Sequence, residues 1–418
     1  MDSISISTYV VMRILILGIN FYPELTGIGK YTGELAAFLA QRGHQVRMVT
    51  APPYYPYWRV TEGYHPWVYQ RESIQGVEVI RCPIWVPRHP SGFTRLLHLA
   101  SFALSSLLPM LIQSNWKPHL ILAIAPAIAS APNAWVAARL ARCKAWLHIQ
   151  DFELDAALRL EMLPGLQFTG RLLQTLESFL LNRFDKVSTI SQRMFAHLQN
   201  KGVNSEKTSL LVNWVDCQEI FPMDRTTPLR AEWQFPNNTI IVLYSGNLGQ
   251  KQGLETLIES ARLLKDEPTI QFVICGDGAA RETLRNKAAD IRNLRFHPLL
   301  PAGRLNELLS TADIHVLPQR KDAADLVMPS KLSGMLASGR PVIATAFPGT
   351  ELAEVIAQVG ILVPPENPYL LAEAIQQLAR QPELQIELGQ HGRVYAVEHW
   401  SKEHVLNKFL KEVESISI

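Results

Sequence analysis

Short apolar runs alternate with longer amphipathic stretches along this chain of 418 residues, and the alternation occurs in two successive series. This pattern is typical of βαβ units, in which crossover helices join parallel strands. One hydrophobic core rarely extends over so many residues, so two domains are expected. The sequence therefore predicts an α/β protein with two Rossmann-like domains.

The apolar runs place six strands in the first series and four in the second. The first six are expected at Ile14–Leu17, Val46–Val49, Val77–Arg81, Leu120–Ala123, Ala145–Ile149 and Val187–Ile190. The other four are expected at Ile240–Ser245, Gln271–Cys275, Ile314–Leu317 and Pro341–Ala344.

The boundaries of the domains follow from these two series. Residues 1–212 are assigned to an N-terminal domain and residues 239–400 to a C-terminal domain. Residues 213–238 are rich in proline and polar side chains, which is typical of a linker. Residues 401–418 are helical by composition, and this helix is predicted to pack back on the N-terminal domain.

The charge and the cysteines exclude several classes of protein. The formal net charge is +2 and no block of like charge occurs, so no nucleic-acid partner is expected. The four cysteines form no C-x-x-C pair and are expected to be free thiols. Arg13 interrupts the first apolar run, which disfavours a signal peptide. A cytoplasmic protein is predicted.

The segment Leu96–Ile112 is unusually apolar. Its length makes a membrane span conceivable, but Pro109 and the polar residue His98 argue against spanning. Three interpretations stay open: a buried helix of the N-terminal domain, a helix on a membrane surface, and a span. The second would place the protein peripherally at the inner face of the plasma membrane.

Four glycine-bearing or cationic turns follow predicted strands or precede predicted helices. Backbone N–H groups at such places suit phosphate, and glycine permits a close approach of the ligand. An ordinary turn or helix cap remains the alternative at each. The candidate phosphate-binding residues are Gly27, Gly29, Ser245, Gly246, Asn247, Lys251, Gly276, Gly278, Ser330 and Lys331.

In the N-terminal domain, two candidate catalytic residues lie at the end of a predicted strand. His148 and Asp151 have side chains suited to acid–base chemistry or to a hydrogen bond with a sugar. A buried histidine and a helix cap are the structural alternatives. The chain contains no G-x-S-x-G turn, Walker lysine loop or D-x-D metal motif, which disfavours hydrolase and P-loop functions.

Together these residues resemble the retaining family 4 glycosyltransferases of the GT-B fold, and most closely those that build colanic acid and capsules. The resemblance extends over nearly the whole chain. It rests on five segments that stand in the family's order: the strand and glycine loop through Gly29, Arg42–Val46, Val212–Asp216 followed by Phe221-Pro222, Gly276–Gly278, and Leu336–Ala344.

The resemblance implies transfer of a sugar with retention from a nucleotide-diphosphate donor to a glycan acceptor, which is expected to be lipid-linked. It implies two domains facing across a cleft, with the donor on the C-terminal domain and the acceptor on the N-terminal one. No cofactor and no essential metal are expected.

Three features depart from the family pattern. Asn247 stands where relatives carry an arginine, and Gly334 and Leu326 stand at the two glutamate positions of a Glu-x7-Glu motif, with Asp325 as the nearest acid. Gln150 occupies the position of the histidine that precedes the aspartate in relatives. Two alternative functions therefore stay open, a sugar-nucleotide epimerase of the same fold and an inactive protein that binds nucleotide-sugars.

Overall fold

The structure is a computed structural model that describes residues 11–126, 128–152, 170–249, 252–321 and 328–417. The chain divides into two compact units. One comprises Met1–Val212 and Leu406–Ile418, and the other comprises Asn213–Val405. Each unit contains one sheet flanked by helices.

Among the described residues, the sheet of the first unit has eight strands. They are β1 Arg13–Gly18, β2 Gln45–Thr50, β3 Gln70–Ile74, β4 Val77–Arg81, β5 Leu120–Ala125, β6 Lys144–Ile149, β7 Lys186–Thr189 and β8 Thr208–Leu210. Their order is β3-β4-β2-β1-β5-β6-β7-β8, and every neighbouring pair is parallel except the hairpin β3–β4. The direction of strand succession reverses between β1 and β5.

Helices connect these parallel strands, as parallel pairing requires. They are α1 Gly27–Gln41, α2 Gly92–Ser114, α3 Ala131–Ala141, α4 Gly170–Leu181 and α5 Gln192–Asn200. Helix α2 begins at a capping box, because the Ser91 hydroxyl accepts from the Thr94 N–H and the Thr94 hydroxyl accepts from the Ser91 N–H.

In the part of the second unit that the structure describes, six strands form a sheet that is parallel throughout. Its strands are β9 Ile240–Ser245, β10 Ile270–Cys275, β11 Leu294–His297, β12 Ile314–Leu317, β13 Val342–Thr345 and β14 Ile361–Val363, in the order β11-β10-β9-β12-β13-β14. Its helices are α6 Pro228–Glu232, α7 Leu254–Leu263, α8 Arg281–Lys287, α9 Leu305–Thr311, α10 Lys331–Ala337, α11 Glu351–Val359, α12 Pro368–Arg380 and α13 Pro382–Trp400.

All ten predicted strands are present, and their bounds agree with the prediction to within two residues. Four further strands, β3, β8, β11 and β14, were not predicted. Strands β8, β11 and β14 have only three or four residues, and β3 is polar, so none forms a strong apolar run.

The segment predicted as a linker is bound to the second unit. Arg225 and Arg230 both pair with the buried carboxylate of Asp313, which also accepts a 2.7 Å hydrogen bond from the Ile241 N–H. Asp313 immediately precedes β12 and Ile241 lies in β9, so these contacts attach residues 225–230 to the centre of the sheet.

The last helix, α14 Lys402–Ser417, ends within the first unit. The Phe409 ring lies 4.9 Å from the ring of Trp146, which is fully buried in β6. Phe409 is itself buried, so the end of the chain completes a core that begins nearly 400 residues earlier.

Helix α2 has one buried face and one exposed apolar face. Phe102 is buried, and Asn133 of α3 donates to the Ala103 carbonyl and the Ser106 hydroxyl at 2.6 and 3.0 Å. By length and composition alone this helix could cross a membrane, and a third of its apolar window is buried in the unit. On its exposed face, Leu104 and Leu108 are 76% and 56% accessible.

Truncation of Phe409 tests whether the last helix stabilises the first unit. Phe409→Ala should lower the free energy of unfolding of that unit by about 3–5 kcal/mol, because it leaves a cavity beside Trp146. Lys408→Ala, on the exposed face of the same helix, should change it by less than about 0.5 kcal/mol. Equal urea midpoints for the two variants would contradict this packing.

Candidate functional site

The carboxyl ends of the central strands are the places where open α/β sheets bind ligands, at the point where strand succession reverses. In the second unit this point lies between β9 and β12. Two turns that contain predicted site residues leave this edge, one after β9 and one after β10.

These two turns are joined backbone to backbone. The Gly246 N–H donates to the Cys275 carbonyl at 2.9 Å, and the Leu248 N–H donates to the Asp277 carbonyl at 2.8 Å. A side chain at Gly276 would place its Cβ only 1.9 Å from the Gly246 carbonyl oxygen. The neighbouring turn therefore requires glycine at position 276, and the role of this residue in phosphate binding stays a prediction.

Lys331, the first residue of α10, lies across the turn after β9. Its ammonium donates to the Tyr244 hydroxyl and lies 4.2 Å from the centroid of that ring. A Cβ at Gly246 would lie 3.0 Å from Nζ, so glycine at this position leaves room for the lysine. The Tyr244 hydroxyl in turn donates to the Asn247 carbonyl at 2.7 Å.

Lys331 is half-buried, and its partial burial lowers the pKa of its ammonium to about 8. Within the described ranges, no carboxylate forms an ion pair with it. Its hydrogen-bond partner is a neutral hydroxyl, which does not compensate a buried positive charge fully. An anion bound beside Lys331 would supply the missing charge, and the Tyr244–Gly246 edge is thus suited to phosphate.

The other candidates of the second unit differ in their positions. Ser245 is buried at the end of β9, whereas Asn247 is exposed. Gly278 has a left-handed φ of 154° and would clash with the Leu248 carbonyl if it carried a Cβ. Ser330 is exposed, and its side chain makes no hydrogen bond that caps α10. Its hydroxyl lies one residue before Lys331.

Lys251 and Asp325 lie outside the described residues. Arg320 is a cation that the sequence analysis missed, although it follows β12 closely. Its Cγ would lie 3.3 Å from a Cβ at Gly253, which precedes α7. A basic residue shortly after a central strand is the signal that could have identified it.

At the carboxyl edge of the first unit, a buried carboxylate organises the loop after β1. Glu24 is only 4% exposed and accepts hydrogen bonds from the Tyr54 N–H, the Tyr55 N–H and the Asn20 amide at 2.8, 2.9 and 2.9 Å. Burial raises its pKa, although the hydrogen bonds act in the opposite direction. The sequence analysis did not identify Glu24.

Glu24 also explains one of the two glycines in this loop. A Cβ at Gly29 would lie 2.7 Å from the Glu24 carboxylate, so this glycine faces the interior. Gly27 is exposed, has a left-handed φ of 58°, and precedes the free N–H groups of the first turn of α1. Gly27 therefore faces solvent, whereas Gly29 packs against the interior.

Of the two candidate catalytic residues at the end of β6, His148 lies in the interior and Asp151 lies on the surface. His148 is 2% exposed, its Nδ1 lies 2.9 Å from the Ser188 hydroxyl, and burial lowers its pKa to about 3. Its Nε2 lies 3.1 Å from the amide nitrogen of Gln150. Asp151 is exposed. His148 is thus a neutral side chain that orients Gln150, and Asp151 is the one that solvent reaches.

Within the described residues, no group of three or more His, Cys, Asp or Glu side chains is placed to hold a metal ion. The four cysteines, all within those ranges, are free thiols.

Two family patterns match the chain. Residues 26–214 match the "Glycosyl transferase 4-like domain" family, and residues 226–395 match the "Glycosyl transferases group 1" family. A glycosyl transferase of Escherichia coli, WcaI, which is named for colanic acid biosynthesis, is 42% identical over 413 residues. That alignment covers 96% of this chain and 100% of the relative.

Solved structures share the architecture of the whole chain. Sucrose-phosphate synthase from Thermosynechococcus elongatus has a TM-score of 0.74 at 20% identity, and the match covers 97% of this chain and 98% of that one. Anabaena HepE, solved in complex with UDP, has a TM-score of 0.70 at 16% identity, with coverage of 97% and 100%. At these identities the likeness shows the fold, which is GT-B.

The contact between the two glycine turns can be tested by adding one methyl group. Gly276→Ala should lower the free energy of unfolding by about 1–3 kcal/mol or prevent folding, because its Cβ overlaps the Gly246 carbonyl. Gly303→Ala is the matched control, since a Cβ there meets nothing within 4 Å. Thermal unfolding of both variants checks this, and equal melting temperatures would refute the close contact.

Proposed function

The chain belongs to family 4 of the glycosyltransferases with the GT-B fold, and from this premise we propose that it transfers a sugar from a nucleotide-diphosphate donor to a glycan acceptor with retention at the anomeric carbon. A relative that aligns over its full length is named for colanic acid biosynthesis, which supports a role in exopolysaccharide assembly. HepE was solved with UDP bound, which supports a nucleotide donor.

Lys331 is the main support for the diphosphate site in the second unit. It is a half-buried cation without a carboxylate partner among the described residues, and it lies against the turn at Gly246. Charge develops on the diphosphate as the bond to the anomeric carbon breaks. A fixed cation in a poorly hydrated place stabilises that charge strongly. Ser330, Asn247 and Arg320 are proposed to contact the same diphosphate or the nucleotide.

The chemistry proposed here uses positioning and stabilisation of the leaving group instead of a protein nucleophile. The acceptor hydroxyl attacks from the face that the diphosphate leaves, and its proton passes to a phosphate oxygen. Neither a metal nor a cofactor is required, because Lys331 and the backbone N–H groups supply the positive potential.

In the first unit, we assign the acceptor side to the carboxyl edge of β1 and β6. Asp151 is exposed there and has an oxygen pair that suits sugar hydroxyls. His148 is a positioning residue behind it, since its neutral ring holds the Gln150 amide. Gly27 begins α1, and the N–H groups of the first turn of this helix are proposed to donate to the donor or to the acceptor.

The exposed face of α2 supports a lipid-linked acceptor and a peripheral position at the inner face of the plasma membrane. A tyrosine contacts this helix, since the Tyr69 hydroxyl donates to the Ser105 carbonyl at 2.9 Å. Tyrosine next to an apolar surface is typical of the membrane interface. Docking there would bring the enzyme to an acceptor embedded in lipid.

The donor is identified by a thermal shift screen with UDP-, GDP- and dTDP-sugars, followed by a transfer assay on a lipid-linked acceptor. We expect stabilisation by one donor and formation of a glycoside that keeps the anomeric configuration. Stabilisation without transfer would indicate an inactive binding protein, and release of a free epimer would indicate an epimerase. No stabilisation by any nucleotide would overturn the proposal.

The charge of Lys331 should make donor affinity depend on pH. Lys331 is protonated below its pKa of about 8 and neutral above it, so the affinity for the nucleotide-sugar should fall between about pH 7 and pH 9. Lys331→Ala should weaken binding by roughly 1–3 kcal/mol and remove this pH dependence. Lys331→Arg, which stays charged, should bind donor with a flat profile. Calorimetric titration at several pH values measures all three, and an unchanged affinity in Lys331→Ala would exclude Lys331.

Membrane docking can be tested separately from catalysis. The double variant Leu104→Glu/Leu108→Glu should lose co-sedimentation with vesicles of phosphatidylglycerol and phosphatidylcholine, because it places two charges on the exposed face of α2. Leu299→Glu, an equally exposed leucine in the second unit, is the control and should co-sediment like the natural chain. Retained co-sedimentation of the double variant would exclude α2 as the docking surface.

A further inference from the structure

The first unit has a polar cavity of about 600 Å³ at the opposite edge of its sheet from the glycine loop. It is lined by Arg13 and Lys144, the first residues of β1 and β6, and by Lys117 and His119, which precede β5. The amino ends of the strands meet there. A volume of this order is typical of small-molecule sites.

Positive charge is concentrated around this cavity. The lining contains five cations and a single carboxylate, that of Asp185. One carboxylate oxygen accepts from the Ala145 N–H at 2.9 Å and the other lies 3.9 Å from the Lys144 ammonium, so Asp185 offsets the charge of Lys144 and the lining offers no carboxylate to the other four cations. The whole chain has a formal net charge of only +2, so this excess is local. The five cations are Arg13, Lys117, Arg139, Arg142 and Lys144.

Helix dipoles explain only part of this cluster. Cations stabilise the carboxyl ends of helices, which accounts for Arg139 and Arg142 at the end of α3. Arg13 and Lys144 lie at the starts of strands, where no helix dipole favours a cation. Like charges gathered around one cavity repel one another, and this repulsion is relieved when an anion binds between them.

The backbone supplies an independent observation. Lys117 and Arg142 have left-handed φ values of 53° and 55°, a conformation that strains a residue with a side chain and that glycine adopts freely. Both line this cavity. Glycine would relieve the strain at either position, yet each carries a cation. Because both positions keep a strained backbone and a cation, we infer that their positive charges have a function.

We propose that this cavity binds an anion with two or more phosphate oxygens, at a site separate from the donor site proposed above. Arginine presents paired N–H donors that match phosphate geometry, and lysine adds compact charge. The phosphate comes either from a soluble phosphorylated molecule or from the headgroup of an anionic lipid. Occupancy of this site does not depend on the function proposed for the second unit.

Inorganic pyrophosphate is the first probe. Equilibrium dialysis of the full chain should reveal two sites, of which Lys331→Ala removes only the donor site. The double variant Lys117→Gly/Arg142→Gly should weaken the other by about tenfold, since two exposed cations are lost. It should keep or raise the melting temperature, because glycine suits both backbones. The binding loss therefore cannot be attributed to unfolding.

Gln75→Gly is the matched control, since Gln75 has a left-handed φ of 49° in the same unit but no charge. It should leave both pyrophosphate sites intact. Vesicles distinguish the two sources of phosphate. If a lipid headgroup is the ligand, the natural chain should prefer vesicles containing phosphatidylglycerol to pure phosphatidylcholine, and Lys117→Gly/Arg142→Gly should lose this preference. If a soluble molecule is the ligand, the preference should be the same in both proteins.

The proposal is overturned if the double variant binds pyrophosphate as the natural chain does and shows the same preference among vesicles. It is also overturned if Lys331→Ala abolishes all pyrophosphate binding and no vesicle preference depends on the two cations. A failure of Lys331→Ala to change binding would count against the donor site alone, so the two outcomes remain distinguishable.

Discussion

Parallel hydrogen bonding between neighbouring strands decides where chemistry can occur in both units. A parallel strand must be reached by a crossover, and helices then cover both faces of the sheet. The interior strands are consequently largely apolar, and the turns at the strand ends are where polar groups can reach a ligand. At the ends of β9 and β10 the two turns lie so close that Gly276 tolerates no side chain against the Gly246 carbonyl. Lys331 packs against the turn that this contact fixes in place.

The charged side chains Glu24 and Lys331, at the carboxyl edges of the two sheets, have opposite surroundings. Glu24 is surrounded by three N–H donors, so its charge is satisfied by the protein and serves to hold one loop against another. Lys331 has a neutral hydroxyl and an aromatic ring as its neighbours, and burial lowers its pKa. A satisfied charge stabilises the fold, whereas an unsatisfied one favours a ligand of opposite sign.

Most of the fold could be predicted because a buried parallel strand is a run of apolar residues, which is a local property of the sequence. The strands that escaped prediction, such as β14 Ile361–Val363, are too short to form such a run. The glycines of the turns are visible in the sequence, but the contacts that require glycine at those positions are not. Of three such glycines, Gly29 is required by Glu24 and Gly276 by Gly246, whereas Gly27 faces solvent. Glu24 was missed because a single acid in a loop resembles any other.

The sequence by itself determined the class of fold, the two successive series of strands and the family to which the chain belongs. Only the tertiary structure decided which polar side chains meet. Tyr244 and Lys331 are 87 residues apart along the chain, and their contact depends on how β9 and α10 pack. Likewise, His148 and Asp151 are three residues apart, yet one is buried and the other is exposed. Periodicity is a property of neighbouring residues, whereas burial and charge depend on what the rest of the chain brings to the same place.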